Sequence, residues 1–322
     1  MPEKYVREAG IPILLRHNGA STLPEQPPSG LVGRGVVCLH DAGLQSSVFT
    51  DLLGALARLR AATDPANPAN ATGQAPLAAD ASAASVPTDT CSIAFDLPGH
   101  GRSGSLDALP SIEAMSACAR SVASWCRATR PILVGHGMGA LVALDWARRE
   151  PGSIAGLVLC GTSGAFGIRD EAIAFMREVT LGRASRPFDP KRLCPSGSPD
   201  RMRRAWFESI QTDPRATLVD LEASQAFARS FAAGDAAGAP RMPVLVVAGA
   251  SEPAADLDAA RALAARLGGR FVALEQAAHW LPLEQPEALA REILAFASSL
   301  ASSNAASPSS SPRSSAPGPE AA

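Results

Sequence analysis

The sequence predicts an α/β fold: a doubly wound, mostly parallel sheet with helices on both faces and one helical insertion. Three observations predict it. Short apolar runs rich in Val, Ile and Leu alternate with Ala- and Leu-rich segments of helical character, and strands that read as nearly continuous apolar runs are the mark of a sheet buried on both faces. One such run, PILVGH, passes straight into the helical ALVALDWARR through Gly135-His136-Gly137-Met138-Gly139, a glycine spacing that permits a sharp strand-to-helix turn. The rhythm is interrupted once, from about Gly164 to Ala239, by helical stretches such as EAIAFMREV and DRMRRAWFESI.

The core strands are placed at Val36 to Leu39, Ser92 to Phe95, Ile132 to Val134, Ala155 to Leu159, Val244 to Ala248 and Phe271 to Leu274. Between the first two, after a helix around Leu52 to Leu59, lies a stretch rich in Ala, Pro, Asn and Ser. With few large apolar residues to bury, it reads as a surface excursion over about residues 61–90. The expected organisation is a core of residues 1–163 and 240–299, a helical lid of residues 164–239 over the carboxyl ends of the strands, and a disordered low-complexity tail at 300–322. No internal repeat is present.

At 322 residues and 33.1 kDa the chain is long enough for one large core. Its formal net charge of -2 and pI near 6.2, without any Lys/Arg block, offer no face for a phosphate backbone, so nucleic acid is not an expected partner. The opening MPEKYVREAG lacks an apolar signal core and no apolar run is long enough to span a bilayer, so a cytoplasmic protein without a membrane partner is expected. Cys38, Cys91, Cys118, Cys126, Cys160 and Cys194 form no CxxC pair. They read as buried thiols rather than a disulfide frame or a zinc site.

In a strand-to-helix elbow of this kind, flanking glycines let the central residue stand above the sheet at the N-terminus of the next helix, where backbone N–H groups favour negative charge. The constellation resembles the α/β-hydrolase superfamily from Val36 to about Phe296. VVCLHDAG is similar to the family's oxyanion-loop segment, and AFDLPGHGRSG, containing Asp96 to Gly104, is similar to the loop after the next strand. PVLVVAGASEP and AAHWLPLEQPEAL resemble the acid and histidine segments, in the family's chain order. At the centre of the elbow, where hydrolases of the family carry the attacking serine, this chain has Gly137.

The resemblance implies His279 as general base, Glu252 as the acid that orients it with Asp256 as the fallback, and the N–H groups of Ala42 and Met138 as oxyanion donors. Asp41 stands where related enzymes usually have glycine. Its carboxylate either faces the oxyanion hole, opposing the charge that develops there, or turns to solvent. His40, His100 and His136 take loop positions used for packing and hydrogen bonding, with no spacing that suggests a metal. Ser103, Cys160, Thr162 and Ser163 lie near strand ends, but none occupies a strained turn that opens a helix.

Glycine supplies no nucleophile, so covalent serine chemistry is excluded. The expected function is action on a small apolar or aromatic substrate, of the ester, lactone or C–C bond class by ancestry, through a His279–Glu252 general-base dyad without a covalent intermediate. The alternative is a noncatalytic ligand-binding or interaction protein. Trp206, Phe207, Phe227, Phe231 and Trp280 suggest an apolar or aromatic acceptor pocket, with core packing the commoner role for any single one of them. No cofactor is implied, since dinucleotide fingerprint, P-loop and metal cluster are all lacking from the sequence.

Overall fold

The computed structural model describes residues 1–29, 35–63, 91–162, 167–186, 199–233 and 242–305. Its centre is an eight-stranded sheet in the order β1-β2-β4-β3-β5-β6-β7-β8. The strands are β1 (Glu3–Glu8), β2 (Ile11–His17), β3 (Val36–Leu39), β4 (Ser92–Phe95), β5 (Ile132–His136), β6 (Gly156–Cys160), β7 (Val244–Gly249) and β8 (Arg270–Leu274). Pairs from β4 through β8 are parallel, whereas β1 with β2 and β2 with β4 are antiparallel. The six strands expected from the sequence are all present, with ends moved by no more than a residue or two.

The β1–β2 hairpin was not foreseen. Its two-residue turn puts Ala9 at φ 48° and Gly10 at φ 84°, both positive as a tight right-twisted hairpin demands. Glu3, Tyr5 and Arg7 face solvent while Val6 is buried. This is the period-two signal of an edge strand, diluted here by the density of charge.

Helices α1 (Thr50–Thr63), α2 (Ile112–Trp125), α3 (Met138–Arg149), α4 (Asp170–Thr180), α5 (Pro199–Gln211), α6 (Pro214–Ala233), α7 (Ala254–Arg266), α8 (Leu281–Glu284) and α9 (Pro286–Ala305) complete the described chain. Alternate residues of each strand feed two cores. Val37, Leu39 and Leu133 face α2 and α3, while Val36, Cys38, Ile132 and Val134 face α1 and α9. That alternation is the pleat of a sheet sandwiched on both sides.

Three boundaries bear on the sequence expectations. Residues Ala61 to Thr63 finish α1, so the start of the expected excursion is helix, and residues 64–90 lie outside the described residues. Helix α9 runs to Ala305, past the expected start of the tail, because Phe296 and Leu300 still bury apolar surface against the sheet; residues 306–322 lie outside the described residues. Between β6 and β7 the chain forms α4, α5 and α6. Of these, α6 packs on both α3 and α4, and residues 163–166, 187–198 and 234–241 lie outside the described residues. No described helix is long and apolar enough to cross a membrane.

Candidate active site

The site forms where β3, β5 and β6 end. Strand β5 enters the turn and α3 leaves it at Gly137, with φ 52° and ψ -115°, a conformation disfavoured for any residue with a side chain. The turn is tight enough that a Cβ at Gly139 would sit 2.1 Å from the Leu39 carbonyl oxygen. This crossing brings the first N–H of α3, that of Met138, beside the loop after β3.

Asp41 fills the space above that turn. Its Oδ1 accepts hydrogen bonds from Ala42 N and Met138 N, both at 2.7 Å. Its Oδ2 accepts one from His279 Nε2 at 2.9 Å. The two amides therefore converge on one point, and a carboxylate oxygen already occupies it. Of the two orientations open from the sequence, Asp41 adopts the inward one. The room comes from residue 137: a Cβ there would lie 2.0 Å from Asp41 Oδ1 and 2.1 Å from its Cγ, well inside any van der Waals contact.

The electrostatics agree with the geometry. Burial pushes the Asp41 carboxyl up, but the His279 hydrogen bond and charge, His136 and the Met138 N–H outweigh it and hold the group down at about 2. Burial likewise opposes charge on His279, yet the bond to Asp41, its charge and that of Glu252 raise the imidazole above its ordinary value. Asp41 and His279 thus favour each other's charged form, in a pair whose side chains are only 17% and 19% exposed.

Surrounding groups fix both partners. His40 Nδ1 donates to the Asp41 carbonyl at 2.9 Å while its Nε2 accepts from Leu97 N at 3.1 Å, so burial leaves this imidazole neutral with its value lowered to about 4. The N–H of Gly43 donates to Asp220 Oδ2 at 2.9 Å, and His100 Nε2 donates to the same oxygen at 2.8 Å. On the other side Glu284, fully buried, accepts from Ala278 N and Trp280 N at 2.9 and 3.2 Å, clamping the backbone on either side of His279. His136 Nε2 donates to the His279 carbonyl at 2.8 Å, and its ring lies 5.1 Å from the His279 ring.

The expected His279–Glu252 hydrogen bond is not formed. Glu252 is buried with both carboxylate oxygens lacking a hydrogen-bond partner; burial raises its pKa against the pull of the His279 charge. Asp256, in the first turn of α7, makes no side-chain hydrogen bond to His279 either. Asp41 Oδ2 accepts the hydrogen bond from the imidazole's Nε2 instead. Ser103 is spent on structure, donating to the Asp96 carbonyl at 2.6 Å and accepting from Leu14 N at 2.9 Å. The Cys160 thiol is buried and pushed far up by burial, and Ser163 lies outside the described residues. Among the described residues Asp41, His136 and His279 put one potential ligand atom each within 4.8 Å of one another; Asp41 Oδ2 and His279 Nε2 are hydrogen-bonded to each other and His136 Nε2 to the His279 carbonyl, while His136 Nδ1 has no hydrogen-bond partner.

A cavity of about 260 Å³ opens on this pair, lined by Asp41, Gly137, Met138, Leu141, Leu221 and Ser224 among others. It falls just below the roughly 300 to 1,000 Å³ of sites for drug-sized ligands. The expected aromatic wall is not there. Phe227 and Phe231 stack on each other in the core, Trp280 packs with Leu44, Val48 and Leu283, and Trp206 and Phe207 are exposed on α5. Sequence reasoning also passed over Asp220, Ser224 and Glu284. The first two lie one helical turn apart on α6, a spacing visible in the sequence once α6 is known to face the site.

A parallel sheet with an ordered carboxylate–imidazole pair at its carboxyl edge, beneath an inserted helix and beside a strained turn, defines an α/β-hydrolase scaffold. The chain belongs to the alpha/beta hydrolase family, whose model matches residues 36–292. It is 40% identical over 84 residues to a pimeloyl-[acyl-carrier protein] methyl ester esterase of Aromatoleum aromaticum, a match spanning 24% of this chain and 29% of that protein. A namesake from Chromobacterium violaceum is 39% identical over 87 residues, 26% of this chain and 31% of that one; the chain thus matches less than a third of either relative's length. A thermophilic esterase from Thermogutta terrifontis superposes with a TM-score of 0.66 at 18% identity, covering 93% of this chain and 99% of that one. The enol-lactonase of Burkholderia xenovorans does so with 0.61 at 20%, covering 91% and 98%.

Proposed function

We propose that this chain is a hydrolase of small, largely apolar molecules in which His279 manages protons as general base and Asp41, rather than Glu252, is the carboxylate that holds it. No ester forms at the elbow, because Gly137 has no side chain to carry one. The observation that carries this reading is the Asp41 carboxylate itself, bound at once by the Met138 and Ala42 N–H groups and by His279 Nε2. An idle scaffold has no need to bury a charge, which costs several kcal/mol unless fully satisfied, at the floor of an open cavity. Leu141, Ile168 and Leu221 on the walls suit an apolar substrate of modest size.

The test is proton release in weakly buffered solution against a panel of short esters, lactones and alkyl halides, a readout common to every hydrolysis in the panel. Turnover is expected with at least one class and is expected to be lost in His279→Ala. Fluorophosphonates, which report serine nucleophiles, are expected to leave the protein unlabelled. Tight binding of panel members without any proton release would overturn the reading in favour of a noncatalytic ligand-binding protein.

A further inference from the structure

We propose that Ser224 is the binding group of a polar subsite in the cavity wall, and that the molecules taken up there are small hydroxylated compounds, an apolar body with one hydroxyl that donates to Ser224 Oγ. This rests on the reading of the cavity as a hydrolase site and names the class of its substrate.

Three polar side chains line the cavity, those of Asp41, His279 and Ser224. The first two hold one another at 2.9 Å. Ser224 lies midway along α6, 1% exposed, and its hydroxyl has no hydrogen-bond partner among the described residues. A serine inside a helix ordinarily satisfies its hydroxyl on the carbonyl four residues back, and a buried hydroxyl left open destabilises the fold. An apolar side chain would close the wall without that loss, as Leu141, Ile168 and Leu221 do elsewhere in the same cavity. An unsatisfied buried group calls for a bound partner, and here the partner comes from the cavity.

The neighbourhood selects which partner. Asp220 stands one turn before Ser224 on α6 and is 0% exposed; its Oδ2 accepts from Gly43 N and His100 Nε2, while its Oδ1 is open. Side chains four residues apart on a helix have Cβ atoms about 5 to 6 Å apart, so rotation about χ1 turns the Ser224 proton toward that carboxylate. Its lone pairs then face the cavity and accept. A ligand carbonyl gains nothing from such a wall, whereas a ligand hydroxyl gains a bond. An ammonium would also donate, but Asp41 is committed to His279 and Asp220 to His100, and a charge without a counterion is costly to desolvate. A neutral donor on a short apolar body remains, and a cavity of about 260 Å³ holds such a body but not a drug-sized one.

The test compares ligands that differ at that hydroxyl, as amides, which resist hydrolysis and report binding alone. The pairs are 2-hydroxybutanamide against 2-methylbutanamide and 3-hydroxybutanamide against 3-methylbutanamide, titrated into the full chain and followed by NMR. In the unaltered protein, which needs no variant to fold, one hydroxylated member is expected to bind about tenfold more tightly than its methyl partner. In Ser224→Ala that ratio is expected to fall to about one, and the melting temperature without ligand to rise, because the open hydroxyl is gone. Ratios near one in the unaltered protein, a preference that persists in Ser224→Ala, or no binding by any of the four would overturn the subsite. A preference lost in Ser224→Ala, with no proton release from the ester and lactone panel, would support the subsite and overturn the hydrolase reading.

Discussion

Gly137→Ser is the substitution on which the arrangement of the site turns. The new Cβ would lie 2.0 Å from Asp41 Oδ1, 2.1 Å from Cγ and 2.5 Å from Oδ2, so serine and the inward carboxylate cannot coexist. Expelling Asp41 forfeits two amide bonds of 2.7 Å and one imidazole bond of 2.9 Å, each worth about 1.5 to 3 kcal/mol before resolvation of the freed charge. The positive φ of 52° adds strain of about 1 to 2 kcal/mol for a residue with a Cβ. With water recovering part of the lost bonding, the net cost is about 3 to 5 kcal/mol in urea unfolding. The partner substitution Asp41→Gly removes the collision, so the double variant is expected to be more stable than Gly137→Ser alone, with a coupling of about 2 kcal/mol in a double-mutant cycle. Only the double variant, with both amides free and a serine beside His279, is expected to hydrolyse p-nitrophenyl acetate, and His279→Ala should abolish that activity. Equal stability of Gly137→Ser and the unaltered protein, or additive effects in the cycle, would show that the carboxylate does not occupy the hole.

Asp41→Asn should lower the His279 pKa, and because the base acts in its neutral form, the alkaline-rising limb of any remaining activity should move to lower pH; NMR titration of the imidazole reads the shift directly. The same variant tests stability: Asp41 is depressed from 3.8 to about 2 and His279 raised from 6.5, so the pair's contribution, on the order of 2 kcal/mol, is complete between those ordinary values. It fades as pH falls through about 2 or rises through the raised His279 value. Asp220→Ala strands His100 and the Gly43 N–H in a fully buried position and should cost about 3 to 5 kcal/mol in urea unfolding. Glu252, raised by burial, loses stability as pH climbs above its unfolded value, so Glu252→Gln should raise the melting temperature more at mildly alkaline pH than near pH 4.5.

The sheet was legible because each parallel strand is an apolar run with two buried faces, and Val36–Leu39 and Ser92–Phe95 fall where the sequence puts them. The β1–β2 hairpin was not, since one buried Val6 among Lys4, Arg7 and two glutamates is a faint period-two pattern. The chain positions of Asp41, Gly137, Met138 and His279 could be read from motif order. The direction of the Asp41 side chain could not, because it depends on volume freed at a residue remote in sequence. Whether Phe227 and Phe231 serve pocket or core was open for a similar reason: α6 turns them to the core, the commoner role, while Leu221 and Ser224 meet the cavity, and which face of a helix looks inward is decided by its neighbours. Glu252 illustrates the converse. It lies where an orienting acid is expected, yet the imidazole's Nε2 has found a closer carboxylate.

The steric exclusion between residues 41 and 137 also constrains how such a site can arise or be undone. With any side chain at 137, an aspartate at 41 is barred from the turn and gains nothing by being there, so selection acting on position 41 alone never finds it. Removing the side chain at 137 first opens the way, at the cost of whatever chemistry that side chain performed. The order of substitutions is therefore fixed by geometry, and the reverse path must vacate 41 before 137 can be refilled. A mutational library is expected to report position 137 as intolerant of any side chain while Asp41 is present, and as tolerant once position 41 has been emptied.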